Sequence, residues 1–166
     1  MRAGERVPEW DVTRWLNGEV GALESLRGRV VVVHAFQMLC PGCIYRGLPQ
    51  AMRLAKELDP KRAVVLGLHT VFEHHEAMRE VSLEAFLSEL RVPFPVGVDR
   101  HEEGAARPIT MRRWDLRGTP STVIVDAEGR LAHQSFGAED DLELGLRIGG
   151  LLERTSSCDA LGCVAE

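Results

Sequence analysis

The residues of this chain best suited to chemistry are two cysteines separated by two positions, Cys40-Pro41-Gly42-Cys43. They stand where a β-branched run, RVVVVHAF over 29–36, gives way to helical spacing. A sulfur in the first turn of a helix faces unpaired backbone N–H groups and the positive end of the macrodipole, both of which favour thiolate over thiol. Cys40 is therefore the expected nucleophile. Pro41 suits the first helical position, because its ring already sets a helical φ and its missing N–H would have had no partner. Cys43 follows nearly one turn later, within reach of a disulfide, so it can resolve a mixed disulfide formed at Cys40. The same spacing also serves a structural knuckle or half of a zinc site.

Three further groups could act. Gly118-Thr119-Pro120 precedes a β-prone run, and a proline there has two readings. One is an ordinary trans residue opening an edge strand; the other is a cis Thr119–Pro120 bond that offers the Thr119 backbone to an extended substrate. His69, His74 and His75, together with Cys40 and Cys43, would suit Cu(I) or zinc in a metal-binding module. Against that, FEHHE over 72–76 lacks the i, i+4 histidine pair, and neighbouring residues on a helix point about 100° apart. Cys158 and Cys163, in a small-residue segment near the end, form a candidate second redox pair able to reach between Cys40/Cys43 and an outside partner, the alternatives being a zinc site shared with a neighbouring chain and an incidental tail disulfide.

The elements that must hold these groups are legible from periodicity. The run 29–36 reads as a buried central strand, and Ile44, Leu48, Ala51, Met52, Ala55 and Leu58 then follow a helical period, with a kink expected at Pro49. A second strand is expected over 63–68 and a helix over 82–90 with Ser82 as its N-cap. A short strand follows over 93–98, then a polar loop over 101–108. Residues 121–125 and 130–135 read as a hairpin closed by Asp126-Ala127-Glu128-Gly129, and 140–154 as a helix weakened by Gly145, Gly149 and Gly150. Trp10 to Leu26 reads as a small hairpin on the sheet edge. The expected organisation is one domain over 1–154 and a tail over 155–166.

The chain has 166 residues with 45% hydrophobic and 27% charged, which suits one globular core and excludes a disordered or collagen-like chain. A net charge of -5 offers no basic footprint for a phosphate backbone or an anionic membrane, so neither nucleic acid nor membrane is an expected partner. No apolar stretch approaches the roughly 20 residues of a membrane span. MRAGERVPEW carries Glu5 and Glu9 where a secretory peptide needs an apolar core, so the expected compartment is cytoplasmic. Four cysteines in two close pairs are too few for a disulfide scaffold and fit redox chemistry or metal.

LESLRGRVVVVHAF, CPGC at the strand-to-helix junction, VVLGLHT and WDLRGTPSTVIVDAEGRL occur in that order between about Trp15 and Leu152. This series resembles the thioredoxin superfamily, especially its bacterial thioredoxin-like disulfide oxidoreductase and redoxin branch, which includes alkyl hydroperoxide reductase and thiol-specific antioxidant relatives. The resemblance implies a thioredoxin fold of α/β class, a central mixed β-sheet flanked by helices on both faces, here with an N-terminal hairpin extension. It also implies Cys40 as attacking thiolate, Cys43 as resolving thiol, and Pro120 in cis beside them with Thr119 in the substrate platform. The activity implied is thiol-disulfide exchange with a disulfide-bearing protein or small-thiol substrate, recharged by a thiol reductant or reductase and needing no cofactor.

Four positions depart from or qualify the pattern. His34 stands where thioredoxins carry a buried Asp associated with proton transfer to the resolving cysteine, and an ordinary imidazole pKa of about 6.5 suits such a base. Leu39 replaces the Trp usual before the first cysteine, which alters the substrate-facing surface. Pro49 falls six residues after Cys43 instead of five, which displaces the kink. Gln37 stands where peroxiredoxins place Thr or Ser, so a peroxiredoxin-like thiol peroxidase is the second enzymatic reading, weakened at its peroxide-binding position.

Overall fold

The computed structural model describes residues 1–161, with side chains through Thr155. Its centre is the strand that the run of valines demands: β2, Val30–Phe36, is buried at every position. A strand buried on both faces needs hydrogen-bonded neighbours on both edges. Strand β3 (Ala63–His69) supplies one edge in parallel, from Val30 opposite Ala63 to Phe36 opposite His69. Strand β5 (Ser121–Val125) supplies the other, antiparallel.

Outside these lie β4 (Val96–Asp99), parallel to β3, and β6 (Leu131–Phe136), antiparallel to β5. Strand β1 (Val12–Leu16) pairs antiparallel with β4, giving a mixed six-stranded sheet of order β1-β4-β3-β2-β5-β6. This is a thioredoxin-like fold.

Alternation along β2 divides the core. Val30, Val32 and Phe36 pack beneath α1 (Leu48–Glu57), α2 (Glu80–Glu89) and α4 (Asp141–Leu161) through Leu48, Leu83, Leu87, Leu144 and Ile148. Val31, Val33 and Ala35 face the opposite side, where Met111 of α3 (Ile109–Arg113), Trp114, Leu23 and Leu26 cover them. At roughly 1.5–3 kcal/mol for each large apolar side chain removed from water, this two-sided burial anchors β2 at the centre of the sheet.

Three expectations change at this level. Trp10 to Leu26 is no hairpin: one strand, β1, covers the open edge of β4. Asn17 and Gly18 then turn the chain at φ 59° and 136°, and the return segment forms a 3-10 turn at Leu23–Leu26 instead of a second strand. The Asn17 amide donates to the Val92 carbonyl at 3.0 Å, which fixes that turn against the entrance to β4. Ser82 lies inside α2, which begins at Glu80 after an extended Arg79, so it caps nothing.

Helix α3 lies beyond the expected polar loop over 101–108, in a stretch to which the sequence assigns no element, because its start depends on a residue distant in sequence. The buried Asp99 carboxylate accepts from the N–H groups of Thr110 at 2.8 Å and Met111 at 3.0 Å. Helix α4 runs past the expected boundary at Arg154, so the backbone of Cys158 is helical. Cys163, and with it the expected pairing of Cys158 with Cys163, lies outside the described residues.

Candidate active site

After β2, the Cys40 carbonyl accepts from the N–H groups of Cys43 at 3.0 Å and Ile44 at 3.1 Å, which makes Cys40 the N-cap of the helix and Pro41 its first residue. The Cys43 N–H also lies 3.4 Å from Cys40 Sγ, so the sulfur occupies the place of a capping oxygen. From its other side the Cys40 thiol donates to the Thr119 carbonyl at 3.4 Å. Both cysteines are free thiols, Cys40 half-buried and Cys43 buried. Burial pushes the Cys43 thiol up to about 12, and its hydrogen bond with Cys40 adds to the rise.

The helix carrying these sulfurs opens with a π-helical segment, Cys43–Gly47, before α1. Pro49 has no N–H, and its ring would crowd the carbonyl four residues back, so a wider turn just before it relieves both constraints. The π-turn also absorbs one extra residue, which accounts for the displaced proline noted in the sequence. Gly42 and Gly47 then let this helix lie on Pro120, whose peptide bond with Thr119 is cis. A Cβ at Gly42 would lie 3.1 Å from Pro120 Cδ, and one at Gly47 would lie 3.1 Å from Pro120 Cβ.

At Gly47 the decisive neighbour is His34. A Cβ there would fall 2.2 Å from His34 Cε1 and 2.6 Å from Nε2, so the imidazole is pressed against the helix one turn beyond Cys43. The ring is enclosed and cannot swing away. Gly47→Ala is expected to lower stability by about 1–3 kcal/mol through overpacking, seen as a lower urea midpoint. Adding His34→Ala should restore part of the loss, and strictly additive losses in the double variant would disprove this contact.

Burial changes the chemistry expected of His34. Desolvation drives its pKa from 6.5 down to about 4, so the ring stands neutral at pH 7 and departs from the ordinary imidazole value expected of a base at this position. Its Nε2 is buried without a hydrogen-bond partner, and no hydrogen bond joins it to Cys43 among the described residues.

Beside Cys40 opens a groove of about 610 Å³. Phe136 forms one wall: its ring lies on Gly118, where a Cβ would meet Phe136 Cε2 at 2.8 Å. Phe72 and Glu73 form the other wall, braced by Gln37. The buried Gln37 amide donates to Glu73 Oε1 at 3.3 Å and to Thr119 Oγ1 at 3.5 Å, while its oxygen accepts from the Phe72 N–H at 3.1 Å. Leu39, 53% exposed, His74 and Arg117 also line it, with Thr119.

The structure thus brings Cys40, Cys43, Leu39, Thr119 and Pro120 together, with His34 beneath the helix. Sequence reasoning missed Gly47, Phe72, Glu73, Arg117 and Phe136. The only local signal among them was a glycine at the helix turn above a buried histidine. Of the three histidines only His74 lines the groove with Cys40; His69 packs on Phe36 with ring centroids 5.4 Å apart, and His75 meets His101 edge-on at 5.0 Å. Among the described residues no three His, Cys, Asp or Glu side chains converge as a metal ion would require. Among the same residues no helix is long and apolar enough to cross a membrane.

The AhpC/TSA family profile matches residues 3–134. Among solved structures, a thioredoxin-like superfamily protein is 47% identical, with 89% of this chain and 96% of that one aligned at a TM-score of 0.86. A thiol-disulfide isomerase from Corynebacterium glutamicum is 46% identical over 88% of this chain and 95% of its own, with a TM-score of 0.85. A thioredoxin-like protein in its oxidised form shares the fold at 20% identity, with 93% and 99% of the two chains aligned and a TM-score of 0.76. No curated protein sequence matches the chain.

Proposed function

Since the chain belongs to the AhpC/TSA family and is a thiol-disulfide oxidoreductase of thioredoxin-like fold, we propose that it exchanges disulfides through the Cys40/Cys43 dithiol. The observation that carries this reading is the asymmetry of the two sulfurs, one opening into a groove and the other buried behind it. Cys40 sulfur, as thiolate, attacks one sulfur of a substrate disulfide. The substrate S–S bond breaks, a Cys40–substrate disulfide forms, and the first substrate thiolate leaves. Cys43 then loses its proton and attacks Cys40 Sγ, forming the Cys40–Cys43 disulfide and releasing the second substrate thiol. The dithiol is oxidised by two electrons and the substrate reduced by two, and an external thiol reductant or reductase reverses the change in the protein.

In this reading Thr119 and Pro120 form the platform beside Cys40, and Leu39 is part of the surface that meets substrate. His34 is the proton acceptor for Cys43 through its free Nε2, its basicity raised only while negative charge develops on the sulfur above it. His34→Ala would then slow resolution more than first attack, whereas equal slowing of both steps would remove His34 from the mechanism. The compartment proposed is the cytoplasm, and finding the chain in the membrane or extracellular fraction of its own cells would exclude it.

Gln37 favours disulfide over peroxide as oxidant, because its amide hydrogens are engaged by Glu73 and Thr119 and are not free to hold a peroxide oxygen. The test is loss of the Cys40 and Cys43 thiols in reduced protein mixed with hydroxyethyl disulfide or hydrogen peroxide. Faster oxidation by the disulfide is expected. Faster oxidation by peroxide would establish the thiol peroxidase instead.

A further inference from the structure

The groove beside Cys40 has one feature that the exchange chemistry does not use. Arg117 lines it, exposed, with no ion pair or hydrogen bond to its guanidinium among the described residues. The other exposed arginines around α3 are satisfied: Arg100 and Arg113 share the Asp11 carboxylate, and Arg112 pairs with Glu102. The Glu73 carboxylate, which accepts from the Gln37 amide, and His74 line the same groove, and Arg117 and Phe136 also line an adjoining depression with Asp115, to which Arg117 forms no ion pair. One groove is therefore lined by the reactive sulfur, two phenylalanine rings and a planar cation with no carboxylate partner. A guanidinium fork matches a carboxylate in shape and charge.

We propose that Arg117 selects substrates, and that the preferred class is a small peptidyl disulfide with a carboxylate close to its reacting sulfur. This rests on the disulfide-exchange reading and names the substrate class for the same site. A volume of about 610 Å³ suits such an occupant, since pockets for small ligands span roughly 300–1,000 Å³. The aromatic rings of Phe72 and Phe136 cover the apolar part of the half-cystine, Thr119 lies against its backbone, and Arg117 takes the carboxylate. Substrate attack places the mixed disulfide at Cys40, so the anion stays within the groove until Cys43 releases it.

The experiment measures single-turnover oxidation of the reduced full chain by three disulfides: oxidised glutathione, which is anionic, hydroxyethyl disulfide, which is neutral, and cystamine, which is cationic. The quantity read is the ratio of the anionic to the neutral rate constant. It is expected to fall about fivefold in Arg117→Gln, the size of one exposed charge pair, to be kept in Arg117→Lys, and to fall further in Arg117→Glu with a rise for cystamine. Arg147→Gln removes the same charge from α4 outside the groove and should leave the ratio as in the parent. A ratio insensitive to residue 117, or equally sensitive to Arg147, overturns the proposal while leaving disulfide exchange intact. A parent chain that none of the three disulfides oxidises overturns both.

Discussion

Cys40→Ser is expected to lower turnover with any disulfide by roughly 10³-fold or more, because no other thiol in the groove can begin the exchange. Cys43→Ser should behave differently: the first attack proceeds, and the substrate thiol accumulates as a stable adduct on Cys40. The geometry gives the reason. Cys43 is 1% exposed and its thiol is pushed up to about 12, so at pH 7 it neither meets an incoming disulfide nor stands as thiolate. Cys40 Sγ opens to the groove and takes the Cys43 N–H at 3.4 Å, a donor that remains to support negative charge on it. Intact-protein mass after mixing with hydroxyethyl disulfide would show one mercaptoethanol adduct on the Cys43→Ser chain and none on Cys40→Ser. An adduct on Cys43 in the Cys40→Ser chain would reverse the assignment of roles. Iodoacetamide at pH 7 should likewise label Cys40 and spare Cys43 in the parent.

The parts of this site that can be read from sequence are those fixed by short-range chemistry. Cys40 and Cys43 announce themselves by spacing and by their place between a valine-rich run and a helical period. Pro120 at the opening of a strand has two readings by itself, and only its company with Cys40-Pro41-Gly42-Cys43 and the family resemblance favour the cis one. What sequence conceals is contact between distant segments. Gln37 could be compared with a peroxide-binding Thr or Ser, but nothing local shows that its amide is occupied by Phe72, Glu73 and Thr119. Phe136 ends β6 as an exposed aromatic, and only the seat that Gly118 provides makes it a groove wall.

The same distinction explains the elements. Strands β2 and β3 were expected within a residue or two of their bounds, because β-branched runs buried on both faces have one use. Helix α3 was not expected, since it is initiated by the Asp99 carboxylate at the end of β4, across a loop from Thr110. The hairpin expected before β2 failed for a related reason. The open edge of β4 was available to β1, and sheet pairing with a distant strand prevailed over the nearest one.

Acid should begin to destabilise this chain at pH values above those at which ordinary carboxylates protonate, and the source is the pair of imidazoles that flank Phe36. His34 stacks on Phe36 at 6.1 Å, and His69 meets the same ring at 5.4 Å. Both are buried, and Nε2 of each lacks a hydrogen-bond partner. Desolvation lowers each pKa from 6.5 to about 4. Between these values the unfolded chain binds protons that the folded chain refuses, so stability rises with pH across this window. It is complete above about 6.5, falls as pH drops toward 4, and levels off below. The ceiling is roughly 3 kcal/mol for each ring, at about 1.4 kcal/mol per pKa unit. Asp99 acts in the opposite direction, because burial raises its carboxyl and the folded form binds that proton more readily. Hydrogen bonds from Thr110 and Met111 limit that rise, and one carboxyl then acts against two imidazoles. Urea midpoints at pH 7.0, 5.5 and 4.5 are therefore expected to fall steeply in the parent and less steeply in His69→Leu and His34→Gln, with the flattest profile in the double variant. If His34→Gln does not fold, His69→Leu alone still tests half of the effect. A parental slope retained in both single variants would place the acid sensitivity elsewhere in the chain.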